Sequence, residues 1–526
     1  MKEEVPNGSH APLFKHVSDI VGDEHLETSE AGLSVFATDL FFRKSLPLAA
    51  VSPGSVEELA RVTTLVTESD LAVVPRGGGL SYSAGYLADR GDSVLIDTRR
   101  LNKIIEINST DMYVHVEAGV TWYQLNQALE EKQLRTLFWG TGSGLYATIG
   151  GTLSQNAVRM GSGRFGTAAE NVLCLAVVLA NGSILRTGSW GAKENPTPFS
   201  RYYGPDLTGL FLGDTGGLGI KAEIVLPLTL RPSVEKFLAY EFPDLETFAA
   251  GISAVGRRSV ASESSGMDPF FLSERVGSTG FADDVEKLVN VAKAQGVKAA
   301  FQVAIAGRRF IEGLGYTLHM SIDGRDEADA ESSLRVLREA CEDAGGTEIE
   351  ASIPRVARAE PFPPPYMIFG PKGERWIPLH GIVPHSRLVD TLKAVEQYMD
   401  SQSQLVRRHG VEWGLVCSPI GRTGALIEPS FYWRDDRTPM IEKYLDDAHL
   451  AGLPTYCADD DARAAVGKFR EDLAQVFKSF GSIHLQIGRM YPYLQSRTPE
   501  VQSLLKALKK HVDPQGLMNP GVLGLE

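Results

Sequence analysis

Four cysteines in 526 residues, with no Cys-x-x-Cys pair among them, give no basis for a disulfide framework or a thiolate metal site. Cys174, Cys341, Cys417 and Cys457 read as isolated reduced thiols of a cytosolic protein. No block of about five basic residues occurs, and 52 Lys and Arg against 66 Asp and Glu leave a net charge of -14. That charge excludes nucleic acid and an anionic membrane surface as partners. Nor does any apolar run approach the roughly eighteen residues of a membrane span. Met1-Lys2-Glu3-Glu4 opens the chain with no apolar segment behind it, so no signal peptide is expected and a cytoplasmic location is. Two nucleotide signatures are missing as well. There is no Gly-x-x-x-x-Gly-Lys-Ser/Thr, and the single Gly-x-Gly-x-x-Gly, Gly161 to Gly166, neither follows an apolar strand nor opens a helical pattern. A Walker loop and a standard Rossmann turn are both set aside.

Glycine, by contrast, is clustered. Val74-Pro75-Arg76-Gly77-Gly78-Gly79-Leu80-Ser81-Tyr82 follows the apolar run Leu71 to Val74, so a strand breaks into a turn rich in free backbone N–H groups. Such a nest suits a phosphate or pyrophosphate. A second glycine-rich element runs from Gly140 to Thr152, followed by Gly161-Ser162-Gly163-Arg164-Phe165-Gly166. Hydrophobic residues at 43% and charged residues at 22% are those of a globular protein. At roughly 100–200 residues per domain the length calls for two or three.

The local patterns give an order of elements. Ser55-Val56-Glu57-Glu58 reads as a capping box with Leu59, Val62, Leu65 and Val66 at helical spacing behind it, feeding the strand Leu71 to Val74. Val94 to Asp97 is a short buried strand, and Met112, Val114 and Val116 alternate with polar neighbours as a half-exposed one. Thr121 to Gln124 caps a helix through about Lys132. Asn181-Gly182 between apolar runs signals a hairpin. Beyond about Arg231 glycine thins, and helical patterns such as Val285 to Ala294 and Ala330 to Ala344 alternate with short strands. Glu360 to Tyr366, with four prolines, reads as a loop. Thr498-Pro499-Glu500 opens a last helix ending at Asp513-Pro514.

Pro75 to Gly79, Ala147-Thr148-Ile149-Gly150-Gly151 with Asn156-Ala157, Arg164-Phe165-Gly166 leading to Leu179-Ala180-Asn181-Gly182, Gly204 to Ile220, and Asp513 to Gly521 stand in this order. Together they resemble the FAD-linked vanillyl-alcohol oxidase and p-cresol methylhydroxylase superfamily. The resemblance implies an α+β architecture: an N-terminal arm (residues 1–49), a PCMH-type FAD-binding domain (50–228), a substrate cap (229–480) and a C-terminal segment returning to the flavin domain (481–526). It also implies FAD as cofactor. Pro75, Arg76, Gly77, Gly78, Gly79, Leu80 and Ser81 would cradle the pyrophosphate. Thr148, Gly150, Gly151, Thr152, Ser154 and Asn156 would add backbone and hydroxyl donors. Gly163, Arg164, Gly219, Ile220 and Asn519 complete the expected contacts.

The reaction implied is removal of a hydride from an alcohol or alkyl-aromatic carbon, with oxygen or another acceptor taking the electrons. A metal-free D-2-hydroxyacid dehydrogenase is the alternative enzyme, and a non-catalytic flavin-binding scaffold the alternative of another class. Departures from the family narrow these. Leu80 stands where the berberine-bridge branch has its flavin-linking histidine, which excludes attachment there. His380, in Trp376 to His385, is the cap candidate for tethering the flavin or lining the substrate pocket. Ala147, Gly481 and Ser482 stand near where vanillyl-alcohol oxidase carries its catalytic aspartate and phenolate-binding groups. Gly481 to Arg489 resembles a histidine-bearing segment over the flavin of 2-hydroxyacid dehydrogenases, making His484 the expected base. Arg489, Tyr491 and Tyr432 are candidates to orient the substrate, and Glu428 is either a pocket acid or a paired rim carboxylate. No metal is expected, the substrate is a small molecule, and a homodimer is expected from the family's habit.

Overall fold

The computed structural model describes residues 10–276, 281–296, 300, 304, 313–364, 372–445 and 447–526. The opening Met1 to Glu4 and the end of the proline-rich stretch, Pro365 and Tyr366, lie outside the described residues. Three sheets organise the chain. The first is β1 (Leu26–Glu27), β2 (Ala49–Val51), β3 (Ala72–Arg76) and β4 (Ser93–Asp97) in the order β1-β2-β4-β3, with β2 and β3 both parallel to β4. The helix Val56–Glu68 joins β2 to β3. It begins where the capping pattern predicts, Ser55 accepting from the Glu58 N–H, and buries Leu59, Val62 and Val66. The helix Ala11–Val21 packs on it through Phe14, Val17 and Val21, so the N-terminal segment is part of this core.

The second sheet contains β5 (Ile104–Asn108), β6 (Tyr113–Glu117), β7 (Leu134–Thr136), β8 (Cys174–Val178), β9 (Ile184–Arg186) and β10 (Ile220–Leu230). Its order is β5-β6-β10-β8-β9, with β7 also on β10. The Asn181-Gly182 turn closes the antiparallel pair β8 and β9, Gly182 taking φ +76°. His115, on the polar phase of β6, meets Glu223 of β10 at 3.3 Å.

The third sheet has eight strands: β11 (Val234–Phe242), β12 (Glu263–Met267), β13 (Tyr316–Gly324), β14 (Thr347–Ile349), β15 (Arg375–Pro378), β16 (Gly381–Pro384), β17 (Glu412–Ile420) and β18 (Gly424–Trp433). They run β14-β11-β13-β12-β17-β18-β15, with β16 also on β18. Helices Leu245–Arg258, Leu388–Ser401 and Asp460–Ser479 bring Ile252, Leu392, Val395, Phe469 and Phe477 into the largest core. Each such side chain is worth roughly 1.5–3 kcal/mol of transfer free energy.

One detail of this sheet positions the site. Pro378 pairs with Ser430 and Gly381 with Ile427, so β15 and β16 are one edge strand interrupted at Leu379 and His380. Pro429 explains the break: its carbonyl accepts from the Leu379 N–H, but it has no N–H to return. The register carried across the gap sets His380 opposite Glu428.

Ion pairs and the returning chain end are among the connections between the sheets. Arg358 is buried among Glu235, Glu263 and Asp323, and Arg135 from β7 meets Asp323 at 2.6 Å. The chain end runs back to β3, where the Val73 N–H donates to Leu517 and the Asn519 N–H donates to Val73, both at 2.8 Å. Among the described residues no helix is long and apolar enough to cross a membrane.

Candidate active site

A cavity of about 390 Å³ lies between the first two sheets and the edge strand of the third. That volume is in the range of cofactor and ligand sites. Its two ends differ in kind.

At one end Pro75, Arg76 and the three glycines after β3 form the wall. Glycine is required here. A Cβ on Gly78 would collide with the Tyr146 carbonyl, and Gly79 has φ +72°. The Tyr444 and Tyr86 hydroxyls donate to the carbonyls of Gly78 and Gly79 and fix the loop. Among the described residues no protein acceptor takes the backbone N–H groups of Gly77 through Ser81. Arg76 is 2% exposed, and none of its three guanidinium nitrogens has a hydrogen-bond partner. The rings of Phe36 and Tyr86 flank it at 4.9 and 5.3 Å. A buried cation without a counter-charge is costly, so this end matches an anionic, phosphate-bearing group.

On the facing wall the helix Ile149–Gln155 presents its first turn. Its hydroxyls are engaged locally. Thr148 caps the helix at the Gly151 N–H, Ser154 donates to the Gly150 carbonyl, and Thr152 accepts from the Trp122 indole. What this helix offers the cavity is backbone, together with Gln155, whose Oε1 is buried and unpartnered like Thr215 Oγ1 across from it.

At the other end Tyr82, Trp376, His380, Glu428 and Gln486 line the wall. His380 is 4% exposed. Its Nε2 lies 2.9 Å from Glu428 Oε2 and 2.9 Å from the Tyr82 hydroxyl. Gln486 Nε2 donates to that hydroxyl at 2.8 Å, and the Trp376 ring meets Tyr82 edge-on at 5.9 Å. Burial, with Glu428 nearby, holds the Tyr82 phenol well above its ordinary pKa, so it stays protonated. An imidazole backed by a carboxylate and a neutral phenol is equipped to take a proton from a bound hydroxyl.

Several expected site residues lie elsewhere. His484 does not line this cavity: its Nδ1 is 2.7 Å from the His380 carbonyl, and it borders a separate cleft behind that residue. Arg489 donates to the carbonyls of Ala84 and Pro520 and to Asn519 Oδ1, so it fastens the chain end rather than orienting substrate. Tyr432 is buried on β18 beyond the cavity wall. Asn156 ends its helix at φ +51° and accepts from the Ala169 N–H. Gly163 packs against the Ala261 and Ser262 carbonyls, Arg164 is exposed over the Phe165 ring, and Asn519 donates to the carbonyls of Gly85 and Thr215. None of these four lines the cavity. By contrast Leu80, Ser81, Gly219, Ile220 and His380 do line it. Tyr82, Glu428 and Gln486 are brought together only by the fold. His385, five residues past His380, donates from Nε2 to the Arg422 carbonyl outside the site.

Two family models match the chain. An FAD binding domain covers residues 47–188, and the C-terminal domain of FAD linked oxidases covers residues 281–523. The glycolate oxidase subunit GlcD of Bacillus subtilis is 31% identical over 239 residues, 45% of this chain and 48% of that one. The probable mitochondrial D-lactate dehydrogenase of Danio rerio is 24% identical over 511 residues, 95% of this chain and 89% of that one. The chain spans half or less of the length of the first curated relatives it matches. Among solved structures, p-cresol methylhydroxylase with substrate bound superimposes with a TM-score of 0.74 at 18% identity, over 99% of both chains. The phosphate-suited loop with its unpaired Arg76 fits the cofactor that both family models carry, and the chain belongs to the FAD linked oxidases, in a fold shared with p-cresol methylhydroxylase.

Proposed function

We propose that the protein dehydrogenates a neutral alcohol, aromatic alcohols included, with His380 as the proton acceptor. Bound FAD supplies the hydride acceptor at the reacting carbon. Arg76 and the N–H groups of Gly77 to Ser81 would hold its pyrophosphate. His380 takes the hydroxyl proton as the carbon becomes a carbonyl. Glu428 steadies the imidazolium so formed, and Tyr82, held by Gln486, aims the substrate oxygen. The wall at Trp376 and Leu485 keeps water from the reacting carbon.

The observation that carries this reading is the company His380 keeps. A carboxylate lines the wall beside it, and among the described residues no buried, uncommitted cation does. Lys221 is committed to Asp214 at 2.5 Å, Arg76 belongs to the glycine loop, and Arg159 is exposed. An anionic substrate would meet Glu428 without a counter-charge. The second reading, a D-2-hydroxyacid dehydrogenase, is supported by the names of the relatives, and Arg159 is then the residue to take the substrate carboxylate.

The test is an anaerobic panel of alcohols and 2-hydroxyacids, read by loss of the flavin absorbance, on protein checked by acid precipitation for covalent FAD. Alcohols should bleach the flavin, and His380→Asn should slow this by about 10²–10⁴-fold with FAD still bound. A wild-type rate in His380→Asn would refute the assignment. Bleaching by hydroxyacids alone, lost in Arg159→Met, would select the second reading.

A further inference from the structure

His380 is gripped from behind by the last segment of the chain. Because the Leu379 N–H bonds β18, the alternate residues His380 and Ile382 turn their backbone groups to the outer edge of the sheet. Among the described residues no further strand runs beside them; the returning chain supplies partners instead. Ile382 and Ile483 exchange two backbone hydrogen bonds, at 2.8 and 3.0 Å. The His380 N–H donates to the Tyr491 hydroxyl at 3.2 Å, and the His380 carbonyl accepts from His484 Nδ1 at 2.7 Å. The His484 and Tyr491 rings stack face to face, centroids 4.0 Å apart and 13° from parallel. A single stacked pair therefore holds both polar backbone groups of the residue that meets Glu428 and Tyr82.

We propose that His484 and Tyr491 are positioning residues that fix the peptide of His380, and through it the aim of its imidazole in the cavity. This rests on the reading of His380 as proton acceptor. The geometry follows from the interruption of the edge strand. With no return hydrogen bond from Pro429, Leu379 and His380 have only one ladder bond between them. Backbone freedom there would swing the His380 ring, and a misplacement of about 1 Å at a reacting group can cost a hundredfold in rate. Burial lowers the His484 pKa, so the ring is neutral and its Nδ1 carries the proton that the carbonyl accepts. Its other side borders a cleft of about 90 Å³, walled also by Ile487, Pro492 and Tyr493 and separate from the active cavity.

That cleft makes the proposal testable by chemical rescue in the holoenzyme. His484→Ala should slow anaerobic flavin reduction about tenfold or more, leaving FAD content and the half-saturating substrate concentration unchanged. Added imidazole, which can donate an N–H to the His380 carbonyl, should restore most of the rate. N-methylimidazole, kept neutral at alkaline pH and lacking an N–H, should not. His484→Asn, whose amide can donate from the Nδ1 position, should lose less than His484→Ala. A wild-type rate in His484→Ala would overturn the proposal, and so would equal restoration by both imidazoles, since that is the signature of packing alone. Should His484→Ala fail to fold, Tyr491→Phe decides: a slowed rate supports the clamp and a wild-type rate removes it. His380→Asn, assayed in parallel, separates the two levels. If it too runs at the wild-type rate, the active-site reading falls; if it is slow while His484→Ala is not, only the clamp does.

Discussion

The two ends of the cavity are made of different material. At the Arg76 end one continuous stretch supplies backbone N–H groups and a single buried cation, and glycine is needed because Tyr146 and Arg76 lie where a Cβ would stand. At the His380 end the working groups are side chains from distant parts of the chain. Tyr82 and His380 are 298 positions apart, and Tyr82 and Gln486 are 404 apart. Holding a phosphate requires only that N–H groups converge, which a local loop can do. The proton transfer proposed for the other end draws on an imidazole with a carboxylate and a hydroxyl each 2.9 Å from it, a grouping that a sheet register and a returning tail assemble here.

If this division is right, changes at the two ends should separate cofactor binding from chemistry. The largest effect is expected from Gly78→Ala. Its Cβ meets the Tyr146 carbonyl and lies 3.2 Å from Ala147 Cα, both backbone, so the loop must move. FAD affinity should fall more than about a hundredfold, read as the flavin-to-protein absorbance ratio, with the circular dichroism of the fold retained. A Gly78→Ala protein that keeps its flavin would break the comparison. Next comes Glu428→Gln, which leaves the size and one acceptor of the side chain but removes its charge. Charge-assisted hydrogen bonds are roughly twice as strong as neutral ones, so flavin reduction should slow about 10- to 100-fold at unchanged FAD content. Loss of FAD from this variant would show that the two ends are not independent.

The same division explains what could be read from the sequence. The helix opened by Ser55, the hairpin at Asn181-Gly182 and the glycine loop at 77–79 are local patterns, and each occurs where its residues require it. The glycine loop is legible in the sequence for that reason. The pairing of His380 with Glu428 is different: it depends on the register of β18 against an interrupted edge strand, and Pro429 in the sequence signals a break without saying what lies opposite. His484 was expected in the site because it is a histidine in a suggestive segment, yet its imidazole is spent on a backbone carbonyl. Arg489 and Asn519 were expected near the flavin and instead tie the chain end to residues 84, 85 and 215. Chemical type alone does not show whether a polar side chain faces a ligand or the protein's own backbone.

Arg76 is the buried cation of the backbone end, and it gives a prediction of opposite signs. Without a partner in the protein its burial is a cost, and with a bound diphosphate it becomes a charge-assisted contact. Arg76→Met should weaken FAD about tenfold or more, at 1.5–3 kcal/mol for a typical hydrogen bond to a charged group. The same substitution should raise the melting temperature of the FAD-free protein and lower that of the FAD-bound one. A fall in both would mean that packing against Phe36 and Tyr86 outweighs the buried charge.

The smallest expected effect is the sharpest probe of the division. Ser154 lines the cavity, and its residue type suggests a hydroxyl aimed at FAD. Its Oγ instead donates at 2.8 Å to the Gly150 carbonyl one turn earlier in its own helix, a local bond of little consequence for that helix. Ser154→Ala should therefore change FAD affinity by no more than about twofold and stability by about 0.5 kcal/mol or less, as for a substitution away from any strained or buried network. Titration of FAD-free protein by flavin fluorescence measures the first and thermal unfolding the second. A loss of FAD affinity comparable to that of Arg76→Met would mean that side-chain hydroxyls, and not the backbone, hold the cofactor on this wall. Thr148, whose oxygen accepts from the Gly151 N–H, would then be the next position to change.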